Sequence, residues 1–489
     1  MTTAPGATRR NVSLSGVLAQ SVGFMGPVFS VATLLPLIVG LSATGRGAGI
    51  ATPVALAVAG LGMFGAGWVI AQYARRIHLC GSLYEYVSDT FGRRVGVVAG
   101  WLYYGAMLVL SSATILVLGG LTEDFLLAAF GIGVRWWLLS LLYVAVVATF
   151  VMVGVHVSVR AQLALVLVSA VVVLLFSLYV IAKGGAGGDS LSAQPFNPFA
   201  VSGADLLYGV LYGINMFIGY ESAANLAEET DDPKRHIPRA VLWSLTIVGL
   251  YYLVTAYAQA VGFGLDAEAW KASVFPLQAL ASGSEFGSTA FGNLVAVIII
   301  LDVVAVAIGV GVAGSRGMFA MARSGRLPRP LASVHPRFGT PVVAAAVMAV
   351  VAVFAVVLVV ATDGVFSRAT ADPAVQQPQW APMFSWMAGF AGTGLALMYL
   401  AVSLAGARGL WGHVPTAKLV VAATAGSLVT AGAVFGAVYK APSPLDTVPW
   451  ALAVWILVGV GWSVVVDRRS EADEVPAATL GARVGGEAS

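Results

Sequence analysis

Twelve stretches of predominantly apolar residues, each about long enough to cross a bilayer, divide this 489-residue chain. A helix rising 1.5 Å per residue needs about 20 such residues to span a hydrocarbon core about 30 Å thick. In lipid every backbone N–H and C=O must be paired within the protein, so a chain of this pattern folds as packed helices. The stretches lie near 18–42, 50–72, 95–120, 136–155, 161–182, 204–227, 240–264, 290–315, 341–361, 381–405, 417–439 and 447–466. They predict an all-α integral membrane protein with about 12 transmembrane helices. Composition agrees: 59% of residues are hydrophobic and 10% charged, against about 25% charged in soluble domains.

Charge sets the expected orientation. If the N-terminus is cytoplasmic, only Arg46, Arg135, Lys183, Lys271, Arg368 and Lys440 of the 26 Lys and Arg fall on the far side. That bias follows the positive-inside rule and predicts both termini in the cytoplasm, with the chain in the cytoplasmic (plasma) membrane. Residues 1–17 and 467–489 are expected to be cytoplasmic tails, the second without fixed structure. Asp363 to Trp380 reads as an external loop, and Leu265 to Ser288 as a short helix on the outer surface. The net charge of +3 comes from loop arginines and implies no nucleic-acid partner. A single cysteine, Cys80, leaves no disulfide framework and no multi-cysteine metal site. No cofactor and no metal are expected.

Two spans carry interruptions. Gly26-Pro27-Val28 in the first removes a backbone donor and relaxes the dihedral constraint in mid-membrane. Gly213 and Gly219 weaken the sixth. Exposed backbone at that depth is tolerated where it lines protein or a cavity. Breaks at equivalent positions of two five-span halves, 18–182 and 204–405, point to a midplane binding site; read singly, each could be a proline kink or a packing glycine. Small residues at every fourth position, Gly92, Gly96 and Gly100 and then Ala305, Gly309, Ala313 and Gly317, read as packing stripes.

Two acids fall deep inside apolar spans. A carboxylate costs roughly 2.5–3.5 kcal/mol at a bilayer centre on insertion scales, which makes each a functional candidate. Glu221 can pair a substrate amine, carry a proton or hold backbone freed by the break. Asp302 shares a face with Ala305 and Gly309 and so points into the bundle; it reads equally as an amine or proton site and as a side chain bonded to a neighbouring helix. Tyr103 and Tyr104 stand apart from the aromatic anchors at span ends. Glu228, Glu229, Asp231 and Asp232 are expected to pair with Lys234, Arg235, Arg239 and nearby arginines.

Three segments resemble signatures of the amino acid–polyamine–organocation (APC) superfamily. They are the loop Ala74 to Tyr86, the run Met216 to Ala240 (MFIGYESAANLAEETDDPKRHIPRA), and Ser315-Arg316 through Met321-Ala322-Arg323-Ser324-Gly325-Arg326-Leu327-Pro328 to His335-Pro336-Arg337-Phe338-Gly339-Thr340-Pro341. His78 stands where the family usually has proline, and Gly26-Pro27-Val28 replaces its common G-S-G break. The resemblance implies a LeuT-type 5+5 inverted repeat over 18–405, with two additional C-terminal helices at 417–466. It implies an amino acid permease, with an amine or polyamine permease or an exchanger as the alternative. In that fold a substrate carboxylate meets the backbone donors of the first break, here at Gly26, Pro27, Val28, Phe29 and Ser30, where Pro27 has no N–H. The amino group meets carbonyls of Phe217, Ile218, Gly219 and Tyr220, and Ala106, Met107, Ser111, Asn215, Phe217 and Asp302 shape the pocket. Glu221 and Asp302 are the proton-coupling candidates. The lysine that some relatives carry in span five is absent from Ala161 to Ala182, and Ser315 is the one hydroxyl of span eight that a sodium site could use. The expected partners are a small-molecule substrate, a coupling proton and the lipid bilayer; oligomeric state stays open. No metalloprotease motif, P-loop or nucleophile elbow supports an enzyme. A channel or a non-transporting sensor remains as a different class.

Overall fold

In the computed structural model the apolar stretches become helices, because backbone polar groups have no other partner in lipid. The structure describes residues 12–40, 47–273, 275–362, 379–439, 441 and 444–484, with the backbone course alone for 155–159 and 469–484. The first span comprises α1 (Leu14–Met25), α2 (Pro27–Phe29), a π-helical stretch Ser30–Leu34 and α3 (Leu35–Val39). α4 (Thr52–Ala74) is the second span, α5 (Leu83–Phe91) a connector, and α6 (Arg93–Phe130), α7 (Trp136–Val153) and α8 (Val155–Ala182) the third to fifth. The sixth is α9 (Gly203–Phe217) followed by a 3-10 stretch, Tyr220–Leu226. Then come α10 (Pro233–Gly262), the short α11 (Ala267–Ala272) and α12 (Pro276–Ser282), α13 (Thr289–Arg323), α14 (Val342–Ala361), α15 (Ala381–Gly409), α16 (Thr416–Val438) and α17 (Val448–Val484).

Among the described residues eleven spans are long and apolar enough to cross a membrane. The twelfth expected one, at 204–227, is the interrupted sixth, whose α-helical part is only 15 residues. Span one sits at the centre, 94% buried, whereas the last span is 22% buried. Peripheral helices turn Leu175, Phe354, Leu428 and Trp450 outward, as a lipid-facing surface requires.

Several expectations change in detail. The outer-surface stretch forms two short helices, and Trp270 and Leu277 bury them against the bundle. α17 continues to Val484 in place of a structureless tail from 467; Ala, Glu and Arg propagate a helix already nucleated. The external loop expected over 363–380 and the tail over 1–17 fall largely on 363–378 and 1–11, outside the described residues.

Both breaks are steric necessities. Gly26 has φ 54°, and a Cβ there would stand 2.1 Å from Val306 Cγ2. Gly219 has φ 115°, and its Cβ would stand 2.6 Å from Phe24 Cγ. At Gly309 a Cβ would come within 2.9 Å of Phe24 Cα. Phe24 is thus wedged between the break of span six and the small-residue face of α13. Gly213 corrects the sequence reading: it lies inside continuous α9, packed against Ala59, and is no part of the break. Gly100 and Gly317 do serve close packing, against Met321 and Tyr104.

Gly26→Ala should therefore lose about 2–5 kcal/mol, from left-handed backbone strain of about 1–2 kcal/mol plus overpacking of about 1–3 kcal/mol. Thermal melts of detergent-purified protein test this. Adding Val306→Ala should recover only the steric part, because φ stays positive.

Candidate functional site at the paired helix breaks

The turn at Gly26 interrupts the helical ladder and opens the N–H groups that follow it. Val28 N–H and Phe29 N–H both donate to Asp302 Oδ2, at 3.0 and 2.8 Å. Ser169 of α8 donates its hydroxyl to Asp302 Oδ1 at 2.8 Å. Asp302 is fully buried. Ser30 N–H is also engaged, by Gly26 O at 2.8 Å. The donors that the resemblance reserves for a substrate carboxylate are therefore filled by a carboxylate from span eight. Sequence reading placed Asp302 on the inward face, but its partners lie 274, 273 and 133 positions away.

The second break is satisfied from nearby. Gly219 N–H donates to Glu221 Oε2 at 3.1 Å, and Tyr103 of α6 donates its hydroxyl to Oε1 at 3.0 Å. Two of the four carbonyls expected to meet an amino group are occupied, Gly219 O by Ser222 N–H and Tyr220 O by Ser21 Oγ. Tyr252 Oη lies 3.2 Å from Met25 O and 2.7 Å from Met216 O, joining the two breaks.

Between the breaks lies a cavity of about 30 Å3, lined by Phe24, Phe29, Ser30, Asn215, Ile218 and Phe384 among others. That is room for about two waters. Asn215 is 7% exposed; its Nδ2 donates weakly to Ala388 O at 3.4 Å, and its Oδ1 has no partner. Three expected pocket residues of span three face elsewhere. Ser111 lines a separate apolar space between α6, α7, α13 and α14, Ala106 packs beside Gly394 of α15, and Met107 beside Gly314 of α13. Leu110 lines the cavity instead, seven residues from Tyr103 and so on the same helix face. Phe217 also turns away, packing on Tyr252 and against Gly60 and Gly249.

On the arginine-rich face an ion-pair layer closes the bundle beneath the breaks. Glu229 pairs with Arg316 at 2.6 Å, Glu228 with Arg323, and Glu85 with Arg326 at 3.3 Å. The acids thus pair with arginines of span eight and the loop after it; of the loop partners expected, only Arg235 meets an acid among the described residues, Asp232 at 3.7 Å. Arg235, on the first turn of α10, is 76% exposed, whereas Arg316 is buried on α13. Arg316, read as a loop residue, is 4% exposed inside α13. Val12 adds backbone bonds, donating to Glu229 O and accepting from Asp231 N–H.

Cys80 lies in this layer, and its N–H donates to Glu228 Oε1 at 3.2 Å. Burial raises the Cys80 thiol well above its ordinary value, keeping it slow to react. Burial opposes the charge on Glu228, yet the Arg323 guanidinium and Cys80 N–H hold its carboxyl below the usual range. The contribution is therefore complete above the ordinary carboxylate value of about 4.3 and fades as pH falls through the lower, paired value. Glu228→Gln should speed maleimide labelling of Cys80 about fivefold, from about 1 kcal/mol for a partly exposed pair. In wild type the pair's contribution to stability should be lost only in acid, below about pH 4.3, read as a fall in melting temperature that Glu228→Gln does not share.

A family model described as amino acid permease matches residues 22–377. The chain is 27% identical over 312 residues to a methylthioribose transporter of Bacillus subtilis, covering 60% of this chain and 64% of that one. It is 26% identical over 322 residues to a branched-chain amino acid permease of the same organism, covering 62% and 66%. A low-affinity putrescine importer of Escherichia coli is 25% identical over 292 residues, covering 58% and 62%. The matches thus span less than two thirds of each of these relatives. With a family model matched over most of its length and an all-helical, multi-pass membrane fold, the chain belongs to the amino acid permease family of the APC superfamily.

Proposed function

We propose that this protein is a secondary permease that carries a small amino-group-bearing solute across the cytoplasmic membrane by alternating access, with both termini in the cytoplasm. The observation that carries the reading is the meeting of two helix breaks, at Gly26 and Gly219, around one small cavity deep in the bundle. A cavity of about 30 Å3 is too small for such a solute, so the spans must part to admit it. The ion-pair layer under the breaks is the cytoplasmic gate. The cargoes for which the relatives are named, a branched-chain amino acid, putrescine and methylthioribose, leave the substrate to be read from the site.

Glu221 is the proton carrier in this reading. It is buried at the junction of spans three and six, where Tyr103 Oη and Gly219 N–H donate to its oxygens and Tyr399 of α15 lies beside it, and no cationic side chain lines the cavity among the described residues. A carboxyl held this way changes its bonding to both spans when it gains or loses a proton.

The test is uptake of labelled amino acids and amines into proteoliposomes, with and without an inward proton gradient. Saturable, gradient-enhanced uptake is expected, and Glu221→Gln should remove the enhancement by about tenfold, within the usual range for coupled sites. Flux that never saturates would identify a channel, and saturable binding without flux a sensor.

A further inference from the structure

The feature that the permease reading leaves unused is the pairing of Asp302 with the first break. We propose that Asp302 is a resident substitute for a substrate carboxylate, so that the site takes an organic amine lacking an α-carboxylate. The proposal rests on the permease reading and narrows its cargo.

Three observations support it. First, both free N–H groups at the break converge on one oxygen of Asp302, and Ser169 fills the other. They open a continuous helical run from Pro27 to Val39, whose N-terminal end favours an anion. That anion is already built into the chain, and an incoming carboxylate would have to displace it and find other donors.

Second, the charge balance disfavours a second anion. Asp302 and Glu221 are both fully buried near the breaks, and no Lys or Arg lines the cavity among the described residues. The nearest cation down α13, Arg316, is roughly 21 Å of helix rise from Asp302 and is held by Glu229. Buried charge requires a partner of opposite sign, which a cationic amine supplies and a zwitterion supplies only in part.

Third, the cavity offers an acceptor. Asn215, more than nine-tenths buried, lines the space between the breaks with its amide group beside Gly392, and its Oδ1, without a partner, suits an N–H donor from the cargo. The apolar walls formed by Phe24, Phe29, Leu110 and Phe384 suit a hydrocarbon stem.

The experiment uses the reconstituted full chain and matched pairs that differ only by the α-carboxylate: cadaverine with lysine, agmatine with arginine, and isoamylamine with leucine. Saturable uptake of each is measured for wild type, Asp302→Asn and Asp302→Ala. In wild type the amine of at least one pair should be favoured by about tenfold or more, the scale of one misfitted contact. Asp302→Ala frees the Val28 and Phe29 donors and should shift that ratio toward the amino acid by about tenfold. Asp302→Asn keeps the shape and should shift it in the same direction, which guards against a misfolded alanine variant. A wild-type preference for the amino acid of every transported pair would overturn this proposal and leave the permease reading standing. So would a ratio unmoved in Asp302→Asn. Folded protein with no saturable uptake of any member would overturn the permease reading, and this one with it.

Discussion

The arrangement of the bundle depends on how the open backbone at Gly26 is satisfied. An unpaired N–H in the hydrocarbon interior costs several kcal/mol, about as much as a small domain's margin of stability. Here two such groups turn to one Asp302 oxygen, and Ser169 takes the other. One carboxylate thereby joins spans one, five and eight, at a point where spans one and eight would otherwise bury polar groups without a partner. The positive φ of Gly26 and the closeness of Val306 follow from this contact, because a side chain at residue 26 would hold the break away from α13.

The second break uses a carboxylate differently. Glu221 lies two residues beyond the Gly219 N–H that it accepts, so this half of the bond needs no tertiary contact. Its ties to the rest of the bundle are neutral hydroxyls, Tyr103 of α6 and Tyr399 of α15 beside it. Span one is therefore fixed to its neighbours by a residue that cannot leave without exposing buried donors. Span six carries its own cap and meets span three through a single neutral donor. Tyr252, within reach of both Met25 O and Met216 O, limits how far one break departs from the other.

Much of this was legible in the sequence, and the rest fails for a consistent physical reason. Hydropathy is one-dimensional and finds spans well; it also finds Glu221 and Asp302, because a carboxyl in an apolar run stands out. The inward direction of Asp302 followed from its spacing to Ala305 and Gly309, but its partners could not be read, since they depend on where three helices meet. Span three is apolar around its whole circumference and carries no stripe to say which face meets the breaks. The resemblance accordingly assigns Ala106, Met107 and Ser111 to the cavity, whereas Leu110 lines it and Tyr103 reaches Glu221. Gly213 and Gly219 look alike in sequence; what separates them is that Ala59 packs on one within a continuous helix and Phe24 on the other at a break. The acids of the loop after span six had equally plausible basic neighbours in sequence, and α13 supplied most of the actual ones.

The bonds on the arginine-rich side also say where that side parts most easily. The inner half of span one is tied to the inner half of span six by Val12 to Glu229, Ser21 to Tyr220, and Ser222 to Gln20. These bonds make the two halves one body. That body is held to α13 by Gln20 on Gly309 O and by the arginine pairs. The pairs are unequal: Arg323 is 45% exposed and Arg316 only 4%. Exposed pairs contribute about 0–1 kcal/mol, whereas breaking a buried one costs about 3–5 kcal/mol. In the proposed cycle the seam therefore opens first at Arg323, with water entering from that end. The Arg316–Glu229 pair holds until solvent reaches it and lowers its cost, so the order of opening is set by burial along a single helix.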